Sequence, residues 1–266
     1  RGGQGRDRDP RLPEAARRGR GAATNPVGRF EPHARVPVDD GWGPGDEIRP
    51  LRTEVALERP RRIITRNSSP DIPIDRSINP YRGCEHGCVY CFARPNHAYA
   101  GLSPGLDFET KLFTKPNAAA LLERELSAKG YRPRVIALGT ATDPYQPIER
   151  RYRIARDCLQ VLAEAHHPVS IVTKSALVLR DLDLLAPMAA QGLATVHLSV
   201  TSLDNALSAK LEPRAAAPHT RLKTIRALHE AGVPVGVLVA PVIPMVTDRD
   251  LEAILAAARE AGASSA

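Results

Sequence analysis

Short apolar runs alternate with longer amphipathic segments from about residue 75 to the end of the chain. The runs are rich in β-branched residues and predict strands over 77–79, 135–138, 169–173, 195–200 and 235–240. The segments that follow them predict helices over 117–129, 149–166, 178–191, 219–231 and 249–261. Five β/α units in succession imply an α/β fold with a parallel sheet and right-handed crossovers.

Two of these segments also indicate how the elements are buried. Ile154, Cys158 and Leu162 fall on one face of the helix predicted over 149–166, and the run 235–240 is apolar on both faces of its strand. No sixth strand follows the last predicted helix, so we expect a partial β/α barrel that stops after the fifth unit. An open doubly wound sheet is the alternative, although no G-x-G-x-x-G motif follows the first strand.

Residues 1–70 show neither the apolar period of a helix nor that of a strand. They are rich in Arg, Gly and Pro, and their apolar side chains are few, with Phe30, Trp42, Ile63 and Ile64 among them. We therefore divide the chain into an Arg-rich, largely irregular N-terminal extension, 1–70, and a β/α domain, 71–266. Since the chain begins at Arg1 and not at Met, we expect a fragment whose C-terminal part is also missing.

The positive charge is concentrated near the N-terminus. The 266-residue chain has a net charge of +7; residues 1–66 hold fifteen Arg and ten acidic residues, and the rest holds 22 basic and 20 acidic residues. An Arg-rich segment can follow the phosphates of nucleic acid, but a solvated tail in a chain that prefers Arg to Lys accounts for the same composition, and we favour it. No run of about 18 apolar residues occurs, so we expect no transmembrane helix.

The most informative stretch is a cysteine triplet directly after the first predicted strand. Cys84, Cys88 and Cys91 have the spacing C-x3-C-x2-C, with Gly83 and Gly87 to let the backbone turn tightly. Thiolates are the usual ligands of iron–sulfur clusters, and three of them leave one iron of a four-iron cluster open. An open coordination position is typical of a catalytic metal site, and in α/β folds such sites form where strands end.

A structural zinc site is the alternative for this loop. It would add His86 or His97 as the fourth ligand, although zinc folds usually have two separated ligand pairs and this loop has one compact triplet. Three thiols within eight residues favour a metal or cluster site in a reducing compartment, so we expect a cytoplasmic protein. The spare thiol, Cys158, lies on an apolar helix face and is expected in the core.

The triplet, with aromatic Tyr90 before its third cysteine, resembles the radical S-adenosylmethionine (radical SAM) superfamily. The stretches 82–94, RGCEHGCVYCFAR, 142–149, TDPYQPIE, and 241–244, PVIP, are most similar to a bacterial branch related to spore photoproduct lyase, a DNA repair enzyme. The resemblance covers 75–262. It implies a partial (β/α)6-type radical SAM barrel, truncated after its fifth unit.

The resemblance also implies cofactors and partners. Cys84, Cys88 and Cys91 would ligate a [4Fe-4S] cluster, and S-adenosylmethionine (SAM) would chelate its fourth iron. Reductive cleavage of SAM would give a radical that abstracts hydrogen from a substrate, with nucleic acid as the leading candidate. A one-electron donor such as flavodoxin or ferredoxin would supply the electron, and no membrane partner is expected. The alternative is a non-catalytic zinc or iron–sulfur protein that binds nucleic acid.

On the same resemblance, residues at the predicted strand ends would bind SAM. Thr140, Thr142 and Asp143 would accept hydrogen bonds from its amino group, and Lys174 or Arg214 would pair with its carboxylate. Ser199 and Thr201 would bond the carboxylate or the ribose, and Pro241, Val242 and Ile243 would flank the adenine. Tyr90 is a further predicted contact, and Glu212 lies in the same crossover as Arg214. Capping and solvation are the alternative roles for such side chains.

The chain departs from the superfamily pattern in one loop. Residues 139–143 read GTATD where the superfamily usually has Gly-Gly-Glu. Thr140 and Thr142 stand near where spore photoproduct lyase is expected to carry a hydrogen-donating cysteine, which argues against thymine-dimer reversal. Tyr145 is a candidate radical relay, with an exposed tyrosine in a turn as the alternative.

Overall fold

A computed structural model of the protein describes residues 19–31, 51–70 and 74–266. Predictions for residues 1–18 and 32–50, including Trp42, lie outside the described residues. The strands are β1 Glu54–Leu57, β2 Ile64–Arg66, β3 Arg76–Ile78, β4 Tyr81–Arg82, β5 Lys111–Thr114, β6 Ile136–Leu138, β7 Val169–Thr173, β8 Ala194–Ser199 and β9 Val235–Leu238.

The helices lie between these strands and after the last one. They are α1 Leu106–Thr110, α2 Ala118–Leu126, α3 Glu149–Tyr152, α4 Ile154–Glu164, α5 Leu182–Ala190, α6 Asn205–Leu211, α7 Pro218–Glu230 and α8 Leu251–Glu260. Short 3₁₀ helices occupy Arg94–Ala100, Ala176–Asp181 and Asp248–Asp250. Among the described residues, no helix is both long and apolar enough to cross a bilayer.

The main sheet confirms the predicted α/β fold. Within the described ranges it has six strands in the order β2-β3-β6-β7-β8-β9, and all neighbours are parallel except the antiparallel pair β2 and β3. The predicted parallel strands are therefore β3, β6, β7, β8 and β9. Their apolar side chains are buried between the helices, among them Ile78, Leu138, Ile171, Val196 and Val237. All of these strands end at one edge of the sheet.

The predicted helix over 149–166 is broken into α3 and α4. Arg153 separates them with a left-handed backbone, at a φ of 56°. The buried carboxylate of Glu149 accepts hydrogen bonds from the N–H groups of Ala155 (3.0 Å) and Arg156 (3.2 Å), the first turn of α4. A carboxylate at a helix N-terminus satisfies donors that have no partner within the helix, so Glu149 stabilises this start.

Two short strands lie within residues 1–70, which we expect to be largely irregular. Strand β1 pairs in parallel with β5 in a small second sheet, of order β1-β5-β4 among the described residues, and β2 joins the main sheet beside β3. The main sheet thus begins before the expected boundary at residue 70. Both strands are short and largely exposed, so neither has the alternation of apolar and polar positions that predicts a strand.

The far side of β9 carries one further contact. Ser265 forms an isolated parallel bridge to Gly236, and the N–H of Val237 donates to the carbonyl of Ser265 at 2.9 Å. The bridge lies where a sixth parallel strand would pair with β9. In the part of the chain that the structure describes, this position holds a bridge and no strand.

Candidate metal centre

The three predicted cysteine ligands lie in one loop that follows β4. Cys84 and Cys88 are buried, Cys91 is half-buried, and none forms a disulfide. Burial raises the pKa of the Cys84 thiol well above its usual range, and the nearby Asp143, Cys88 and Cys91 raise it further. Burial likewise raises the pKa of Cys88 to about 12. Cys91 is close enough to Cys84 and Cys88 to act on the pKa of both, and a positive metal centre would favour the thiolate forms.

Gly83 lets this loop pack tightly at its start. Its φ is +76°, and a Cβ there would lie 2.7 Å from Cδ2 of Leu112 and 2.8 Å from the carbonyl oxygen of Phe108. Phe108 also accepts a hydrogen bond from the N–H of Cys84 at 3.0 Å. The loop therefore packs on α1 and β5, and Cys84 and Cys91 pack against Phe108 and Ala93.

The donor set fits a cluster with three thiolate ligands better than a single zinc ion. The described residues contain no group of three or more His, Cys, Asp or Glu side chains placed to hold one metal ion. Nε2 of His97 is 2.9 Å from the carbonyl oxygen of Lys111, and Nδ1 of His86 is 3.2 Å from Oδ2 of Asp143. Each predicted histidine ligand thus has one ring nitrogen in contact with another residue. A four-iron cluster, which holds its thiolates farther apart than one ion does, needs no histidine as a fourth ligand.

The loop after β6 holds the cysteine loop in place. Oγ1 of Thr142 donates to the carbonyl oxygen of Gly83 at 2.7 Å, and Nε2 of Gln146 donates to the same oxygen at 3.1 Å. Oε1 of Gln146 accepts from the N–H of Glu85 at 2.9 Å. Thr142 and Gln146 are buried, so these bonds are shielded from water. The structure thus shows Thr142 as a support of the cysteine loop, and its predicted contact with SAM stays a prediction.

Asp143 has a similar supporting position. Its carboxylate accepts hydrogen bonds from Oγ1 of Thr173 (2.7 Å) and from the N–H groups of Lys174 (2.8 Å) and Tyr145 (2.9 Å), and it faces His86. Burial acts to raise the pKa of Asp143, but His86 and these donors outweigh it and lower that pKa to about 2. Asp143 is therefore an anion that ties the ends of β6 and β7 to the cysteine loop.

A buried carboxylate, Glu212, joins the other side of the loop to the ends of β8 and α7. Its Oε1 accepts hydrogen bonds from the Tyr90 hydroxyl and from Oγ1 of Thr201 at 2.9 Å, and its Oε2 pairs with the Arg221 guanidinium. Arg221 also donates to the carbonyl oxygen of Ser199 at 2.9 Å. Burial acts to raise the pKa of Glu212, but Arg221 and Lys174 lower it overall, so the group is ionised.

Lys174 is a predicted cation of the site whose ammonium group is not paired with a carboxylate in the described part of the chain. Its Nζ lies 5.7 Å from the ring centroid of Tyr90, and its charge acts to lower the pKa of Cys88. Within the described residues no carboxylate lies at ion-pair distance from Nζ, although the charge of Lys174 also acts to lower the pKa of Glu212. Arg214 differs, because its guanidinium is 3.3 Å from Oε1 of Glu85 and its N–H donates to the His86 carbonyl at 3.2 Å. Lys174 is thus better placed than Arg214 to receive an anion beside Cys88.

The remaining predicted residues are spread around the same edge. Thr140 is exposed and accepts from Nδ2 of Asn79 at 3.2 Å, and Val242 is 45% exposed just after β9. The alternative given for Tyr145, an exposed tyrosine in a turn, is wrong: Tyr145 is 1% exposed and its hydroxyl donates to Oδ2 of Asp181 at 3.1 Å. Its role as a radical relay stays a prediction. The prediction for Cys158 is confirmed, because it is fully buried in the apolar core.

Comparison with known proteins decides the family. The model of the radical SAM superfamily matches residues 78–258, from β3 to α8. The chain belongs to the radical SAM superfamily. The matched segment contains the cysteine loop and every strand end described above.

Relatives extend this match without assigning a reaction. This radical SAM chain is 38% identical over 244 residues to an uncharacterised protein of Mycobacterium tuberculosis, which covers 86% of the chain and 71% of that protein. An uncharacterised protein of Methanocaldococcus jannaschii is 27% identical over 172 residues, covering 64% of the chain and 61% of the relative.

Solved structures support the fold. Spore photoproduct lyase complexed with dinucleoside spore photoproduct superposes with a TM-score of 0.58 at 18% identity, over 79% of this chain and 58% of the lyase chain. A mutant of that lyase with bound AdoMet and dinucleoside spore photoproduct gives a TM-score of 0.56 at 16% identity, with the same coverage. The chain therefore spans less than two thirds of the lyase, and the likeness concerns the fold alone.

Two residues of this radical SAM site carry no clear signal in the sequence. Gln146 lies within the stretch 142–149 that marks the branch, but its polar side chain is also common in turns. Arg221 lies in a helix, where an arginine usually faces solvent, and only its position on the buried face of α7 reveals it.

Proposed function

We propose that the chain holds a [4Fe-4S] cluster through Cys84, Cys88 and Cys91 and binds SAM beside it, at the ends of the parallel strands. When bound, this pair supplies one-electron reductive cleavage of SAM and a radical that abstracts hydrogen from the substrate. The observation that carries the proposal is the placement of the three thiols, with Lys174 as a cation beside Cys88.

The chain's own residues have distinct tasks in this proposal. Lys174 would pair with the carboxylate of SAM, since its ammonium is half-buried and such a bond is charge-assisted. Thr142, Gln146, Asp143 and Glu212 are positioning residues, because each bonds to the cysteine loop or to Tyr90 within it. Ser199, Thr201, Thr140 and Val242 complete the edge where we expect the rest of SAM.

The proposed substrate is a nucleic acid, and the proposed electron donor is a flavodoxin or a ferredoxin. Support for the substrate comes from the fold shared with a lyase whose solved complexes hold a dinucleoside spore photoproduct, and from the Arg-rich segment before residue 67. Thymine-dimer reversal is not proposed, because threonines stand in the loop where a donor cysteine is expected. We expect the reaction to take place in the cytoplasm.

Anaerobic reconstitution with iron and sulfide tests the proposal. The wild-type chain should bind about four iron atoms and release 5′-deoxyadenosine from SAM after chemical reduction. Cys88→Ala should lose cluster and cleavage together, whereas Cys158→Ala, which removes a thiol of the core, should keep both. A colourless protein with one zinc ion, or cleavage that survives Cys88→Ala, would contradict the proposal.

A further inference from the structure

A cavity lies beside the edge strand β2, where it meets the C-terminal end of α2. Its volume is about 690 Å³. The basic side chains of the described residues that line it are Arg61, Arg62, Arg66, Arg124 and Lys129. They are all exposed, and none forms an ion pair with a carboxylate in the described part of the chain. The cavity is therefore a concentration of unpaired positive charge.

The single carboxylate among the described lining residues serves the fold. Oε1 of Glu125 accepts from the N–H of Ile63 at 2.6 Å, and Oε2 accepts from the N–H of Ile64 at 3.4 Å. Glu125 thus fixes β2 to α2 and leaves the surrounding cations without an acidic partner. Arg124 has one described bond, from Nη2 to the carbonyl oxygen of Arg61 at 2.8 Å, so most of its donors remain available.

The spacing of the cations suits an extended anion. Arg62 precedes β2 and Arg66 ends it, and both line the cavity together with Ile64. Four residues of extended chain span on the order of 13 Å, so these two cations can contact separate phosphates. Tyr131 forms a fixed wall, since its ring packs against Arg76 at 5.5 Å and its hydroxyl is 2.8 Å from Nε2 of His167. Because this aromatic ring already has partners, the row of cations beside it favours contact with phosphates over stacking with bases.

We propose that this cavity binds the phosphodiester backbone of a nucleic acid without regard to base sequence. Ile64 of β2 pairs with Ile78 of β3, so Arg61 and Arg62 lie at the end of β3 from which the chain continues to Cys84. A nucleic acid bound along β2 would therefore extend toward the edge of the sheet that carries the cysteine loop. The connection between this cavity and the reaction at the cysteine loop rests on the proposed function, whereas binding of nucleic acid in the cavity does not.

Fluorescence anisotropy with a labelled DNA duplex of random sequence, on the full reconstituted chain, tests the inference. The triple variant Arg61→Ala/Arg62→Ala/Arg66→Ala removes three cations of the cavity. The matched control, Lys223→Ala/Arg226→Ala/Arg259→Ala, removes three exposed cations of α7 and α8. Both variants keep every arginine of residues 1–18, so the electrostatic attraction between that segment and the duplex is the same in the two.

The cavity variant should bind the duplex about tenfold more weakly than the control at about 0.1 M salt. In a plot of the logarithm of the binding constant against the logarithm of the salt concentration, its slope should be shallower by about two to three. Replacing the three arginines by lysine should restore most of the binding and shows that the site remains folded. Equal losses in both triple variants would overturn the inference. So would displacement of the duplex by inorganic phosphate at equal phosphate concentration, or a preference for phosphatidylglycerol vesicles over the duplex.

The two proposals fail separately. Duplex binding that depends on the cavity, without any rise in 5′-deoxyadenosine release, supports the cavity and contradicts nucleic acid as the substrate. Release that rises with duplex in the wild type and equally in the cavity variant overturns the cavity and leaves the proposed chemistry standing.

Discussion

The ion pair between Arg221 and Glu212 is fully enclosed: the side chains are 1% and 0% exposed. Arg221 also donates to the carbonyl oxygens of Ala216 (2.6 Å) and Ser199 (2.9 Å), while Glu212 accepts from Tyr90 and Thr201. Taking a charge out of water is unfavourable unless its partners remain, so neither residue can be removed alone without leaving a buried charge. This pair connects the cysteine loop to β8 and α7.

Arg221→Met should therefore lower the free energy of unfolding by about 3–5 kcal/mol, because Glu212 stays buried without its cation. Urea unfolding measures the change. Arg226→Met, at an exposed position of the same helix, is the control and should change stability by less than about 0.5 kcal/mol. Similar losses in the two variants would contradict the role given to the pair.

Single residues also show what the sequence can and cannot predict about the site. Cys84, Cys88 and Cys91 are predictable because three thiols at this spacing are seldom needed except to hold a metal or a cluster, and Lys174 is predictable from its place after a clear strand. The bonds of Thr142 and Asp143 to the cysteine loop are not predictable, because they join residues about 60 positions apart. Only the folded chain shows that these polar atoms already have partners.

At the scale of elements, the end of β6 is a tightly constrained turn near the site. Gly139 has a φ of +101°, and a Cβ there would lie 2.6 Å from the carbonyl oxygen of Val172 and 2.5 Å from Cδ of Pro144. Gly192, between α5 and β8, has a φ of +70° with nothing within 4 Å of an added Cβ. The two glycines share a left-handed backbone and differ in the space around them.

Gly192→Ala should destabilise the protein by about 1–2 kcal/mol, from its left-handed φ alone. Gly139→Ala should lose about 1–3 kcal/mol more, since backbone and proline atoms must also move to admit the methyl group. Thermal unfolding of both variants checks the difference. Equal losses would show that the close approach of β7 to Gly139 has no energetic effect.

The elements that the sequence predicts are those with a strong apolar period. Strand β7 matches its predicted bounds, and β3, β6, β8 and β9 lie within two residues of theirs. Strand β4 has two residues and β1 is largely exposed, so their pairing with β5 depends on contacts that no local pattern reveals. The break at Arg153 is likewise set by the carboxylate of Glu149 and not by a helix-breaking residue.

At the scale of the whole molecule, histidines enclosed by the fold make the free energy of unfolding depend on pH. Burial lowers the pKa of His97, His167 and His197 in the folded chain. The unfolded chain then binds more protons than the folded one as the pH falls below the ordinary histidine value of about 6.5. The stability contributed by the neutral histidines is therefore present above that pH and is lost as the pH falls through it toward the lowered values.

His167→Gln should reduce the loss of unfolding free energy between neutral pH and about pH 5.5, because its neutral ring is held between Tyr131 and the carbonyl oxygen of Pro168. Denaturant unfolding at several pH values measures the slope. The exposed His219→Gln is the control and should leave the slope unchanged. A slope that His167→Gln leaves unchanged would show that this histidine does not contribute to the loss.

Residues 20–22 lie directly on the cysteine loop. The N–H groups of Gly21 and Ala22 donate to the buried carboxylate of Glu109 at 3.0 and 2.9 Å, and a Cβ on Gly21 would fall 1.8 Å from the carbonyl oxygen of Gly87. This short stretch therefore covers the backbone of the cysteine loop at Gly87, the residue before Cys88. A chain that begins after Ala22 would lose these contacts, so we expect the access of solvent to the cysteine loop to depend on where the N-terminus is cut.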